Sequence, residues 1–207
     1  VWTRLQSFDL KSGKRHWIAE TGTGIHQTST LGKTASGIPA ILTGRGGGHQ
    51  PPEEPFGLSL VRADNGKTLW DGAIQKFPSA QNSCWDERQA YAFAGKEHVT
   101  VNLQNGQVLR KTSLEEGVTV RRWNGKGYTL EENTRLNNMK KPQTLMSNLR
   151  VGDYHYFRAH AEFLIGRIHL KSGNVEYLQV PVQVVRKPGQ KEEVLWKKAR
   201  PNDMKNT

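Results

Sequence analysis

The chain has 207 residues, 30 Lys and Arg against 19 Asp and Glu, and a formal charge of +11. Its basic residues are scattered, with small clusters only at Arg121-Arg122, Lys140-Lys141 and Lys197-Lys198, so the focused basic stripe of a specific nucleic-acid binder is missing. A single cysteine, Cys84, excludes an internal disulfide and a multi-cysteine zinc site, and no apolar run approaches the roughly eighteen residues of a membrane-spanning helix.

In chain order, one pattern recurs on Gly13, Gly66, Gly106 and Gly173. A small polar residue precedes each glycine: Ser12, Asn65, Asn105, Ser172. Upstream lie apolar pairs two residues apart, Phe8 and Leu10, Val61 and Ala63, Val101 and Leu103, Ile168 and Leu170. Residues two apart share one face of a strand, and glycine accepts the positive φ of a tight turn. Each copy therefore predicts a β-hairpin, with Asn65-Gly66 and Asn105-Gly106 as the strongest signals. Four residues after the glycine stands an aromatic in three copies, Trp17, Trp70 and Tyr177, and Arg110 in the remaining one.

Further strands are predicted at Ile38–Thr43, Ala90–Ala94, Val151–Phe157 and Glu162–Gly166. No stretch keeps apolar spacing at three and four residues, so little helix is expected. The glycines recur at roughly forty- to seventy-residue intervals, which leaves room for two more strands per unit and reads as four-stranded propeller blades.

The segment from Asp9 to Trp17, Asp-Leu-Lys-Ser-Gly-Lys-Arg-His-Trp, resembles the repeat of pyrroloquinoline-quinone-like propellers, and Val61–Trp70 is a close second. Asn102 and His169 replace Asp9 in later copies, and Gln107 and Asn174 replace Lys14. The resemblance implies an all-β fold: a partial β-propeller of about four four-stranded antiparallel blades over residues 1–207, with a possible fifth hairpin near 184–196. Both ends read as cut from a longer chain whose remaining blades would be partners of this one. In that family the tryptophan docks one blade on its neighbour, which assigns the role to Trp17, Trp70 and Tyr177 and leaves it open at Arg110.

Several segments suggest chemistry of their own. Arg45, Gly46, Gly47, Gly48 and His49 form a glycine-rich stretch before Pro51-Pro52, a candidate contact loop that lacks the Gly-Lys-Ser/Thr ending of a phosphate loop. His155 and His160 are five apart, which places them on opposite faces of a strand, with no third ligand nearby. Adjacent doublets Glu53-Glu54, Glu115-Glu116, Glu131-Glu132 and Glu192-Glu193 point apart on a strand and read as solvated charge. Trp85 and Trp123 fall outside the repeat register.

The expected function is a noncatalytic propeller scaffold or interaction module that binds a protein through loops at the blade faces. No cofactor, catalytic residue or metal ligand is assigned. The alternatives are part of a quinoprotein dehydrogenase, which would hold pyrroloquinoline quinone and Ca²⁺, and a carbohydrate- or substrate-binding accessory domain. The alcohol-oxidising quinoproteins carry a disulfide of adjacent cysteines, and this sequence has no such pair. By resemblance alone, an extracytoplasmic location is expected.

Overall fold

A computed structural model describes residues 4–20, 29–45, 57–73, 83–137, 149–159, 163–181, 183–185 and 195–197. The described residues contain strands and turns and no helix. Val1-Trp2, the stretch from Gly46 to Pro55, and His160 lie outside them.

Two complete antiparallel meanders follow one another. The first sheet holds β3 (Ser29–Lys33), β4 (Pro39–Arg45), β5 (Gly57–Arg62) and β6 (Thr68–Ala73). The second holds β7 (Ser83–Trp85), β8 (Gln89–Ala94), β9 (Glu97–Asn102) and β10 (Val108–Ser113). A third meander comprises β13 (Leu149–Val151), β14 (Tyr154–Ala159), β15 (Leu164–His169) and β16 (Val175–Gln179). Hairpins β1 (Arg4–Phe8) with β2 (Arg15–Glu20), and β17 (Gln183–Val185) with β18 (Leu195–Lys197), stand at the two ends. The fold is a partial β-propeller.

The third sheet departs from the four-stranded expectation. A hairpin of β11 (Val118–Trp123) and β12 (Tyr128–Thr134) adds to it through parallel pairing of β11 with β16, giving six strands in one sheet. Its turn is Asn124–Gly127, where Asn124 Oδ1 accepts from the amides of Lys126 and Gly127, both at 3.0 Å.

The four repeat turns share one backbone geometry. The amide of Gly13, Gly66, Gly106 or Gly173 donates to the carbonyl four residues earlier, of Asp9, Arg62, Asn102 or His169, at 2.8–3.0 Å. All four glycines have positive φ, between 67° and 80°. These are four-residue loops with glycine last, not two-residue Asn-Gly turns, and the preceding residue has ordinary φ. That residue serves as an acceptor instead. Ser12, Asn65, Asn105 and Ser172 each take the amide two residues on with the side-chain oxygen, at 2.9–3.3 Å. Immediately before the loop, the side chains of Asp9, Asn102 and His169 likewise accept from nearby amides, so the substitutions there preserve the function of the site.

The core lies between sheets. Leu42, Leu58, Leu60 and Trp70 of the first sheet pack against Ala90, Ala92, Val99 and Val101 of the second. On the other side of the second sheet, Phe93 and Leu114 pack against Phe157, Ile168 and Tyr177 of the third.

Candidate functional site

The register beside each turn decides which way the side chains point. In the first sheet Leu60 pairs with Trp70 and Val61 with Thr68, leaving Leu69 as the extra residue of a β-bulge. In the second, Thr100 pairs with Arg110 and Val101 with Val108, leaving Leu109. Directly paired residues share a face, so the bulge turns the residue four after the glycine onto the following unit. It also turns the residue before it outward.

The seams that result are alike in geometry. Trp17 Nε1 donates to Ala63 O at 3.1 Å, and Trp70 Nε1 donates to Leu103 O at 2.6 Å. Each indole lies on the next turn glycine: a Cβ on Gly66 or Gly106 would stand 2.7 Å from Cε3 of the ring. Trp70 is buried and Trp17 half-buried. Arg110 occupies the corresponding seam between the second and third sheets. Its guanidinium donates through Nη2 to Leu170 O and through Nη1 to Lys171 O, the latter at 2.8 Å, and lies against Gly173. Arg110 thus docks on the carbonyl equivalent to the tryptophans' acceptors.

Tyr177 does not dock forward. The fourth copy has no bulge: Gly166 pairs with Tyr177, Arg167 with Glu176 and Ile168 with Val175. Without the extra residue, Tyr177 falls on the face toward the second sheet, where its hydroxyl donates to Leu114 O. The role assigned to it by resemblance is corrected on this point.

The surface of the described residues includes the following grooves. One, of about 680 Å³, lies between the turn ends of the first and second sheets. Leu69 and Leu109, the two bulge residues, both line it, with Thr34, Ser36, Arg88 and Asn102 among its polar groups. The turns around it are tied together: Ala35 N donates to Glu87 O at 3.0 Å and Leu103 N to Arg88 O at 2.9 Å. Another groove, about 490 Å³, lies on the third sheet and is lined by Arg121, Leu130, Tyr156, Arg167, Glu176 and Leu178. There Arg167 is fixed by Glu176 at 2.6–2.8 Å and sits 4.3 Å over the Tyr154 ring. Hydrogen bonds to Tyr156 and then Glu176 push its pKa up.

The remaining sequence candidates fall as follows. Arg45 ends β4 opposite Gly57, while Gly46, Gly47, Gly48 and His49 lie outside the described residues. Glu115 pairs with Lys96 at 2.6 Å and Glu131 with Arg122 at 2.9 Å. Trp85 straps the first two sheets, donating from Nε1 to Thr30 Oγ1 at 2.8 Å. Trp123 meets Tyr128 edge to face across the added hairpin, ring centroids 5.2 Å apart. Cys84 is a buried free thiol whose pKa burial pushes up to about 12. His155 is buried in β14 with Nδ1 3.1 Å from Nε2 of His98 in β9, a partner that the spacing of His155 and His160 did not suggest. Among the described residues no group of three or more His, Cys, Asp or Glu is placed to hold a metal ion, and no helix is long and apolar enough to cross a membrane.

No family model matches the sequence, and no curated protein matches it. Among solved structures the chain is similar to the crystal structure of BamB from Moraxella catarrhalis, with 14% identity and a TM-score of 0.46. The match covers 83% of this chain and 45% of that one, so the chain spans less than half the length of that protein.

Proposed function

We infer that the chain is a noncatalytic propeller scaffold that binds a protein partner at the turn ends of its first two complete sheets. The observation that supports this reading is the pair of outward-turned leucines in the larger groove, Leu69 at 36% and Leu109 at 50% exposure. The same bulges that send Trp70 and Arg110 into the seams leave these two side chains facing solvent. An apolar centre within a rim of polar turn residues matches the anatomy of protein interfaces. Backbone hydrogen bonds between the turns hold the groove in shape, which lowers the ordering cost of binding. The extracytoplasmic setting belongs to the same proposal and rests on the repeat resemblance.

The test is site-specific photocrosslinking from position 109 in cells that make the whole protein. The expected result is a discrete crosslinked protein that disappears in Leu69→Glu. Stoichiometric binding of pyrroloquinoline quinone with Ca²⁺, accompanied by dye-linked oxidation of an alcohol or sugar, would overturn the scaffold reading in favour of the dehydrogenase one.

A further inference from the structure

The sequence contains three Asn-Gly pairs, Asn65-Gly66, Asn105-Gly106 and Asn124-Gly125, followed by Lys67, Gln107 and Lys126. In such a pair the backbone nitrogen of glycine can attack the side-chain amide of asparagine, because glycine has no side chain to shield that nitrogen. Near-equal local sequence gives the three pairs near-equal reactivity in an unfolded chain. The fold treats them differently.

In the two repeat turns the glycine is closed off twice. Its amide proton is held, by Arg62 O for Gly66 at 3.0 Å and by Asn102 O for Gly106 at 2.9 Å. An indole also covers it: Trp17 lies on Gly66 and Trp70 on Gly106, each so close that a Cβ would stand 2.7 Å from Cε3. Gly66 is buried and Gly106 half-buried, although the asparagines before them are exposed.

The turn of the added hairpin has neither protection. Gly125 is exposed, and its amide makes no hydrogen bond among the described residues. A Cβ at Gly125 would meet nothing within 4 Å. The asparagine side chains differ as well. Asn124 Oδ1 accepts from two amides, of Lys126 and Gly127, both at 3.0 Å. Asn65 accepts from Lys67 alone at 2.9 Å and Asn105 from Gln107 alone at 3.0 Å. Donors on a carbonyl oxygen stabilise the negative charge that collects there as the carbon is attacked. The better-stabilised electrophile thus stands beside the free nucleophile.

We propose that Asn124 is a modification site, whose side-chain amide is lost to attack by Gly125 in the folded protein, while the held and covered glycines preserve Asn65 and Asn105. The Gly125 N–H gives its proton to hydroxide and the nitrogen bonds to Asn124 Cγ. The Cγ–Nδ2 bond breaks, and the leaving nitrogen takes a proton from water, which releases ammonia and restores the hydroxide. Water then adds to either carbonyl of the resulting cyclic succinimide and opens it to aspartate or isoaspartate at position 124. Either product adds a negative charge beside Lys126. Isoaspartate also lengthens the main chain within the turn and takes away the side-chain carbonyl that holds the Lys126 and Gly127 amides. It therefore loosens the turn that sets the β11–β12 register.

The test is incubation of the folded chain in mildly alkaline buffer at body temperature, with the urea-unfolded chain alongside. Peptide mapping reads the acid at each site, and isoaspartyl methyltransferase labelling reads the isoaspartate. In urea the three sites are expected to convert at comparable rates. In the folded chain Asn124 is expected to convert at least about tenfold faster than Asn65 and Asn105, a factor that one ordinary hydrogen bond supplies. Amide hydrogen exchange reads the nucleophile itself: Gly125 is expected to exchange at least about tenfold faster, relative to its intrinsic rate, than Gly66 and Gly106. Conversion at Asn65 or Asn105 that keeps pace with Asn124 in the folded chain overturns the proposal. So does an Asn124 lead of the same size in urea, an Asn124 that keeps its amide when folded and loses it when unfolded, or a Gly125 amide as protected as the other two.

Discussion

Trp70 and Arg110 hold the same position in successive repeats, four residues past the turn glycine, and both reach across a seam to the carbonyl three residues before the next turn glycine. The indole makes one hydrogen bond and covers Gly106 with its ring; the guanidinium makes two and lies against Gly173. The docking position thus has one geometric role and two chemistries. An apolar seam tolerates the indole's area, whereas a seam holding two histidines is closed by a fork of donors.

Trp70→Ala removes a buried indole from the core between the first two sheets. Truncations of this kind cost about 3–5 kcal/mol. The expected result in denaturant unfolding is a midpoint shift of that size, with a smaller one for the half-buried Trp17→Ala. An unchanged midpoint for Trp70→Ala would show that the ring does not carry the seam.

Gly106→Ala and Gly13→Ala separate backbone strain from docking. Both positions have positive φ, 74° and 67°. A Cβ at Gly13 meets nothing within 4 Å among the described residues, so its cost is conformational, about 1 kcal/mol. At Gly106 the same methyl collides with the Trp70 ring, and overpacking adds about 1–3 kcal/mol. Equal destabilisation of the two variants would rule out close ring-to-glycine contact.

The repeat turns, the strands flanking them and the all-β class were legible because glycine, a short polar acceptor and period-two apolar pairs each have a local cause. Facing was harder to read. The bulges at Leu69 and Leu109 depend on how two strands pair, and a shift of one residue sends Tyr177 to the opposite side from Trp70. The added hairpin has a local trace, Val118, Val120, Tyr128 and Leu130 alternating around Asn124-Gly125, but it is masked by the charged residues beside it, Arg121-Arg122 and Glu131-Glu132. The His98–His155 contact joins residues from different sheets, and no spacing along the chain announces it. The larger groove was equally hidden, since its leucines are exposed by the bulges.

Arg110→Lys keeps the charge but loses the fork. A lysine ammonium is a compact point charge that does not reproduce two parallel N–H bonds to neighbouring carbonyls. Loss of one hydrogen bond of this type costs about 1–2 kcal/mol. Urea unfolding of the variant is expected to show this decrease, together with faster thiol labelling at neutral pH of Cys84, which is buried at this seam against Leu170. A variant as stable as the parent, with Cys84 equally protected, would show that the guanidinium contacts are incidental.

The pH dependence of global stability follows from the sign of the His98 shift. Burial first, and the neighbouring His155 and Arg110 after it, lower the folded-state pKa well below the ordinary 6.5. Above 6.5 the ring is neutral in both states and contributes no slope. Below it the unfolded chain binds a proton that the folded chain refuses, so unfolding becomes easier as pH falls, until the folded pKa is reached. The slope from one such histidine is about 1.4 kcal/mol per pH unit. Exposed carboxylates act at lower pH: hydrogen bonds from Ser12 hold Asp9, and one from Lys171 holds Asp153, below the usual value. Their stabilisation is present above the unfolded carboxylate pKa and is lost as pH falls from there through the lowered folded value, so the two effects separate. Urea midpoints measured from about pH 8 down to about pH 5 should be flat to about 6.5 and then decline. A midpoint that stays level across that interval, or rises, contradicts a His98 ring held neutral by burial.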